Sequence, residues 1–168
     1  DLGGSRDGTG SGNSMADAVV DEIRSAGGQA AATYGSVTDD AAAAGMIKCA
    51  VDNFGRLDIL INNAGILRDR SFKNMTDAEW DAVIDVHLRG SYLATKHAWA
   101  QMLEQGEGGR IIMTSSTSGL IGNFGQANYG AAKAGMAGFM RVLALEGVKY
   151  GITVNVLAPA ALSRMTED

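Results

Sequence analysis

The sequence of 168 residues is long enough for one domain, and its 46% hydrophobic and 20% charged residues are ordinary for a globular chain. A formal net charge of −5 without any basic cluster argues against a nucleic-acid partner, and no apolar run is long enough to cross a membrane. Because Cys49 is the only cysteine, no internal disulfide can form, and a reducing compartment such as the cytoplasm is expected.

Helical patterns and short apolar runs alternate along the chain. After a Gly-rich loop, Asn13 or Ser14, then Thr38 or Asp39, and then Thr76 stand where helix N-caps are expected. The pattern predicts helices over about 13–26, 39–54, 77–103 and 126–150, and strands over 29–34, 57–61, 110–114 and 152–157.

The order of these elements predicts the fold class. The run LDILI at 57–61 is continuously apolar, which is typical of a strand buried on both faces of a parallel sheet. Strands that alternate with helices predict an α/β fold, a doubly wound parallel sheet with helices on both faces. Ligands of such sheets bind beyond the carboxyl ends of the strands. The residues expected at that edge are Ser36, Asn62, Asn63, Ser115, Ser116 and Pro159.

Tyr129 and Lys133 are the first candidates for chemistry. They are four residues apart on a predicted helix, so they share one face of it. A lysine ammonium beside a phenol favours the phenolate and lowers the pKa of the tyrosine. Such a tyrosine accepts a proton from an alcohol, or donates one to a ketone oxygen in the reverse direction. The alternative is a chance pair on a solvated helix.

Two further groups follow predicted strands. Ser116 comes after the strand at 110–114, where its hydroxyl can hold a substrate oxygen against Tyr129, although a serine in a flexible loop is the plainer interpretation. Asn63, Ala64 and Gly65 follow the apolar strand at 57–61. An ordinary turn also uses such residues, but the strand before them favours a wall of a cofactor site.

These motifs together resemble the short-chain dehydrogenase/reductase family. The resemblance rests on NNAG after a strand, on Ser116 thirteen residues before Tyr129, and on YGAAK, and it covers essentially the whole chain. It implies a Rossmann-like fold in which Tyr129 is the acid/base, Lys133 lowers its pKa and binds the nicotinamide ribose, and Ser116 orients the substrate. The cofactor contacts that it implies are Asn63, Ala64 and Gly65 on the adenosine side, and Pro159 near the nicotinamide amide.

A narrower resemblance joins the chain to the (3R)-hydroxyacyl-CoA dehydrogenases of peroxisomal multifunctional enzymes and their bacterial relatives. It rests on GILRDRSF, DVHLRGSY, RIIMTSS, GNFGQANY and APAALSRMT, and it implies oxidation of a 3-hydroxyacyl-CoA with NAD. The opening DLGG resembles the segment in which an Asp binds the adenosine ribose, so Asp1 implies NAD rather than NADP. The alternatives are a 3-oxoacyl-carrier-protein or other ketone reductase, and a non-catalytic fragment that retains the fold surface. A peroxisomal location is an alternative in a eukaryote.

The chain departs from the broad family at three points. His87 replaces the family's Asn in an N-L-x-G motif, and we expect it to bind a water of the proton relay or, equally, to be a buried histidine bonded to backbone. Gly35 replaces an Asp on the adenine edge, which leaves Ser36 and Val37 as the expected adenine neighbours. The family's first strand with its Gly-rich loop, and its last strand, are not found, so residues 1–168 are expected to be a partial domain. No metal site is predicted.

The predicted helix at 126–150 suggests self-association. It is rich in small residues, and its apolar residues Met136, Phe139, Met140 and Leu143 exceed one buried stripe. In the family this helix and the one at 77–103 form the main twofold interface, so we expect a homodimer or homotetramer. The alternative is that all four side chains face the chain's own sheet.

Overall fold

The structure is a computed structural model that describes residues 2–159; Asp1 and residues 160–168 lie outside the described part. The helices are α1 (Ser14–Ser25), α2 (Asp40–Phe54), α3 (Asp77–Ile84), α4 (Gly90–Gln105), α5 (Thr117–Leu120) and α6 (Ala127–Gly147). The strands are β1 (Ile59–Asn62), β2 (Gly109–Thr114) and β3 (Ile152–Leu157). Three short turns are a π turn at Asp85–Arg89 and 3-10 turns at Phe72–Asn74 and Val148–Tyr150.

The three strands form one parallel sheet in the order β1-β2-β3. Each strand is separated from the next by helix, so the α/β, Rossmann-like class predicted from the alternation is confirmed. Alternate strand residues pack with α2, α4 and α6 into one core because side chains of a strand point to opposite faces. The core residues are Ile47, Leu57, Ala98, Met102, Ile111, Met113, Met136, Ile152 and Val154.

The opposite face of the sheet is open in the described part of the chain. Ile59 is 56% exposed, Ile61 58% and Leu157 56%. The prediction of a strand buried on both faces is therefore wrong for β1 within residues 2–159. The helix α1 buries none of its residues, so it does not cover this face.

Two helices begin at a residue whose side chain caps the first turn. Thr76 and Glu79 form a capping box at α3, and the Asp39 carboxylate accepts a hydrogen bond from the Ala42 amide at α2. Asn13 stands before α1 but makes no side-chain cap. Two of the predicted caps thus act as expected, whereas α1 starts without a side-chain cap.

Three predicted elements differ from the structure. The segment 29–34 is not a strand, because it pairs with no strand among the described residues. The predicted helix at 77–103 is interrupted by the π turn at Asp85–Arg89, which widens one turn of backbone between α3 and α4. The helix predicted at 126–150 ends at Gly147 and closes with a 3-10 turn.

The four apolar residues of α6 lie in or beside the core. Met136 is buried in it, whereas Phe139, Met140 and Leu143 pack against it and are partly buried. These contacts account for much of the apolar width of α6, and self-association stays a prediction. No helix of the described part is long and apolar enough to cross a membrane.

Candidate active site

Lys133 is a buried cation at the carboxyl end of β2. It lies one turn after Tyr129 on α6, with its ammonium 5.4 Å from the centre of the Tyr129 ring. Its Nζ donates a hydrogen bond of 2.5 Å to the carbonyl of Thr114, the last residue of β2. Ser115 ties the two elements again, since its hydroxyl donates to the Lys133 carbonyl at 2.8 Å. The ammonium is therefore fixed between strand and helix, and burial lowers the pKa of Lys133 to about 8.

Ser116 meets the tyrosine from the other side. Its hydroxyl caps the short helix α5 by accepting from the Ser118 amide at 3.2 Å, and it also hydrogen-bonds the Tyr129 side chain. The spacing of Ser116 and Tyr129 in the sequence thus becomes contact, because α5 and the loop after it fold back to start α6.

The pKa of Tyr129 is raised in this chain, not lowered. Burial of the phenol is the largest cause, the Ser116 hydrogen bond opposes it, and the negative charge of Asp69 adds to it. The expectation that Lys133 lowers the pKa is not met by the chain alone. The reason is geometric, since the ammonium is turned toward the Thr114 carbonyl and lies under the ring rather than at the hydroxyl.

His87 lies in the π turn and is buried against the same tyrosine. Its ring meets that of Tyr129 edge-on, with centres 5.1 Å apart. Its Nε2 contacts both the carbonyl and the amide nitrogen of Ile66, at 2.8 and 3.1 Å. Burial, and secondly the charge of Lys133, lower the pKa of His87 to about 4, so the ring is neutral at pH 7.

The other ring nitrogen of His87 has no partner within residues 2–159. Nδ1 is buried and makes no hydrogen bond among the described residues. Buried polar atoms are normally paired, so a free Nδ1 leaves one position for a polar atom beside the tyrosine. The backbone-bonded histidine and the water-binding histidine of the sequence analysis are thus compatible, each through one nitrogen.

The segment after β1 supports this ring. Asn62 is buried and donates to the Thr95 hydroxyl at 2.9 Å, whereas Asn63 and Ala64 are exposed at the sheet edge. A Cβ at Gly65 would lie 2.4 Å from Cε1 of His87. Glycine at this position therefore makes room for the histidine ring, a reason that the sequence did not indicate.

The remaining predicted cofactor residues lie farther along the edge. The Ser36 hydroxyl hydrogen-bonds that of Thr38 at 2.8 Å, and Val37 packs so closely on Gly90 that a Cβ there would lie 2.7 Å from it. Pro159 is exposed at the end of the described part, and Asp1 lies outside it. The structure thus brings Ser116, Tyr129, Lys133 and His87 together, while the cofactor-binding roles stay predictions.

Three polar residues of the site were missed by the sequence analysis. Asn128 is fully buried, and its amide donates to the carbonyls of Arg68 and Glu79, each at 3.0 Å. Its Oδ1 accepts from the Tyr129 amide at 2.8 Å. Gln126 donates to the carboxylate of Asp69 at 2.7 Å. Two amides directly before the tyrosine, at the start of an otherwise apolar helix, were the available signal.

No group of three or more His, Cys, Asp or Glu side chains within residues 2–159 is arranged to hold a metal ion.

Comparisons with known proteins agree with the motifs. The family model described as short chain dehydrogenase matches residues 9–167. Peroxisomal multifunctional enzyme type 2 of Mus musculus is 55% identical over 167 residues, which are 99% of this chain and 22% of that protein. A 3-oxoacyl-acyl-carrier-protein reductase of Synechocystis is 45% identical over 157 residues, 93% of this chain and 63% of that protein.

A solved structure agrees as well. The crystal structure of a short chain dehydrogenase from Mycobacterium avium superposes with a TM-score of 0.88 at 50% identity, covering 100% of this chain and 60% of that one. The chain spans less than two thirds of each of these three proteins.

Proposed function

The chain belongs to the short-chain dehydrogenase family, and we propose that it carries the acid/base site of an NAD-dependent oxidoreductase acting on 3-hydroxyacyl-CoA. The observation that carries the proposal is the convergence of Ser116, Lys133 and His87 on one half-buried phenol, Tyr129. A phenol held among a hydroxyl, an ammonium and a neutral imidazole is suited to moving one proton to or from a carbinol oxygen.

The residues at the sheet edge fit a nicotinamide dinucleotide. Asn62 pairs in register with Met113, so Asn63 lies level with Thr114, whose carbonyl holds the Lys133 ammonium. Small exposed side chains at Asn63 and Ala64 leave the edge open to a flat group, and the ammonium is available as a donor to ribose hydroxyls. When bound, the dinucleotide supplies the acceptor for a hydride.

The proposed step balances without any further reagent. The C–H bond of the carbinol breaks and its electron pair leaves with the hydrogen as hydride, while the O–H proton passes to the Tyr129 oxygen and the C=O bond forms. Ser116 donates a hydrogen bond to the substrate oxygen and fixes it at the phenol. Because the chain alone raises the pKa of Tyr129, the phenolate that accepts this proton needs a further positive charge, which a bound oxidised nicotinamide would add to that of the Lys133 ammonium. His87 holds a water through Nδ1 for release of the proton.

The choice of NAD rests on Asp1. A carboxylate at the adenosine ribose repels a 2′-phosphate, so we propose NAD over NADP. The first check is the full-length protein with each cofactor at equal concentration. A large preference for NAD is expected, and equal kinetic efficiency with both would contradict the assignment.

The substrate class is supported by relatives. The chain is 46% identical over 161 residues to a hydroxyacyl-CoA dehydrogenase of Mycobacterium tuberculosis, as well as 55% identical to the mouse multifunctional enzyme. A 3-oxoacyl-carrier-protein reductase is the second candidate, supported by the Synechocystis relative. Because the mouse relative is named as peroxisomal, a peroxisomal location is an alternative to a cytoplasmic one.

The decisive experiment measures nicotinamide absorbance with the full-length protein on 3-hydroxyacyl-CoA and NAD, and in reverse on 3-oxoacyl-carrier-protein. Turnover on the coenzyme A ester is expected, and Tyr129→Phe should lower it by at least about 10²-fold, since only the proton-transferring hydroxyl is removed. A higher kcat/KM on the carrier-protein substrate would favour the reductase. Turnover by Tyr129→Phe within tenfold of the parent, or no turnover by the parent, would overturn the acid/base assignment.

A further inference from the structure

Gln126 joins two loops of the site through one buried side chain. It stands directly before α6, and its amide nitrogen donates to Oδ2 of Asp69 at 2.7 Å. Its amide oxygen accepts from the Ser118 hydroxyl at 2.7 Å and from the Asn123 amide at 3.2 Å. Because the oxygen meets two donors and the nitrogen meets a carboxylate, the amide has one favourable orientation.

The two ends of this link are the loop that carries Ser116 and the loop after β1. On one side, the Ser118 amide donates to the Ser116 hydroxyl at 3.2 Å, so Ser118 contacts both Ser116 and Gln126. On the other side, the Arg70 amide donates to the Gly125 carbonyl at 2.8 Å, which holds the Asp69 segment against the same loop. The position of the substrate-facing serine thus depends on a contact that reaches across 57 residues of sequence.

We propose that Gln126 is a positioning residue that holds Ser116 at the phenol of Tyr129, with its own amide fixed by the Asp69 carboxylate. This inference rests on the proposed function. Neither Gln126 nor Asp69 needs to touch the substrate for this role.

The positioning role is tested with Gln126→Met, which keeps the length of the side chain and removes all three hydrogen bonds. In the full-length protein we expect kcat to fall by about 10- to 100-fold, because a small displacement of an orienting group is costly, while the dissociation constant for NAD changes less than twofold. Gln101→Met is the control, since Gln101 hydrogen-bonds Gln105 on α4 away from the site. An unchanged kcat, or an equal loss of NAD affinity, would overturn the positioning role.

The two assignments fail in different ways. A parent without turnover would overturn the proposed function, whereas an active parent with an unchanged kcat in Gln126→Met would overturn the positioning role alone.

Discussion

At the scale of single residues, Lys133 is buried at an electrostatic cost. Its ammonium is buried, and no carboxylate pairs with it within residues 2–159; its hydrogen bond goes to the Thr114 carbonyl. Burying a charge without an opposite partner destabilises a fold. A cation kept there against that cost is best understood as serving the phenol and ribose chemistry proposed for the site.

We therefore predict that Lys133→Met removes turnover but raises the free energy of unfolding at pH 7 by about 1–3 kcal/mol. The pKa is about 8 in the fold and 10.5 ordinarily, so the unfolded parent binds more protons between these values and its stability rises with pH across that window. The variant should lack this rise. Urea titrations at pH 7 and pH 10 measure both effects, and a variant less stable than the parent at pH 7 would contradict them.

His87 affects stability on the acid side of neutral pH. Its pKa falls from an ordinary 6.5 to about 4, so its contribution to stability is complete above pH 6.5 and is lost as the pH falls toward 4. We predict that the free energy of unfolding of the parent falls by about 3 kcal/mol more than that of His87→Gln over this range, because a pKa shift is linked to folding free energy. Thermal unfolding at pH 7, 5.5 and 4 checks it. Parallel pH profiles of the two proteins would show that burial does not hold the imidazole neutral.

The sequence predicted the site residues that lie close together in the chain. Tyr129 and Lys133 share a helix face by spacing, and Ser116 follows a strand that periodicity identifies. The contacts of Asp69 and Gln126 could not be predicted in this way, because they depend on how two distant loops meet. The raised pKa of Tyr129 likewise follows from burial, which spacing does not report.

Among the elements, the π turn at Asp85–Arg89 decides the shape of the site. It places His87 on Ile66, and the Ser91 hydroxyl donates to the His87 carbonyl at 2.6 Å, which satisfies one backbone group of the widened turn. The apolar periodicity indicates one continuous helix here because the apolar residues of both α3 and α4 face inward. Such turns often occur at functional sites, so this departure from the predicted helix coincides with the chemistry.

Gly65 links the end of β1 to this turn, and its replacement is a direct test. A Cβ in Gly65→Ala would lie 2.4 Å from Cε1 of His87, so the ring must move. We predict a loss of about 1–3 kcal/mol in unfolding free energy together with a loss of turnover. Gly45→Ala is the matched control on α2, where a Cβ meets nothing within 4 Å and a gain of about 0.5–1 kcal/mol is expected. Equal stability changes in the two variants would refute the steric argument.

For the whole molecule, the sequence predicted the parallel α/β class but not which faces are covered. The period of two identifies Ile59 and Ile61 as one face of β1, yet a continuous apolar run cannot show whether both faces have a helix. The same limit applies to α6, whose apolar width predicted a partner although Phe139 and Met140 pack on the core. Burial depends on how the elements assemble. We therefore expect the dimer interface at residues of α6 that are exposed in the structure.

The exposed stripe of α6 is where we now expect the homodimer or homotetramer to form. The small residues Ala134 and Gly138 share one face of α6 with Val142 and Leu145, because the four are at helical spacing. Val142 is 54% exposed and Leu145 is 78% exposed. Tyr92 of α4 extends this surface, since its exposed ring lies 6.4 Å from that of Phe139. Small residues allow two helices to approach closely, and exposed apolar side chains beside them favour a second copy.

We predict that the full-length parent is at least a dimer at micromolar concentration, and that Val142→Glu with Leu145→Glu converts it to a folded monomer. Two carboxylates facing their symmetry mates would be desolvated and repel each other, and because both side chains are exposed in the single chain, the fold should be kept. Light scattering measures the mass and circular dichroism the fold. Phe72→Glu is the control, an apolar residue 78% exposed outside both helices, and it should remain a dimer. A monomeric parent, or a double variant whose mass is unchanged, would exclude this stripe as the interface.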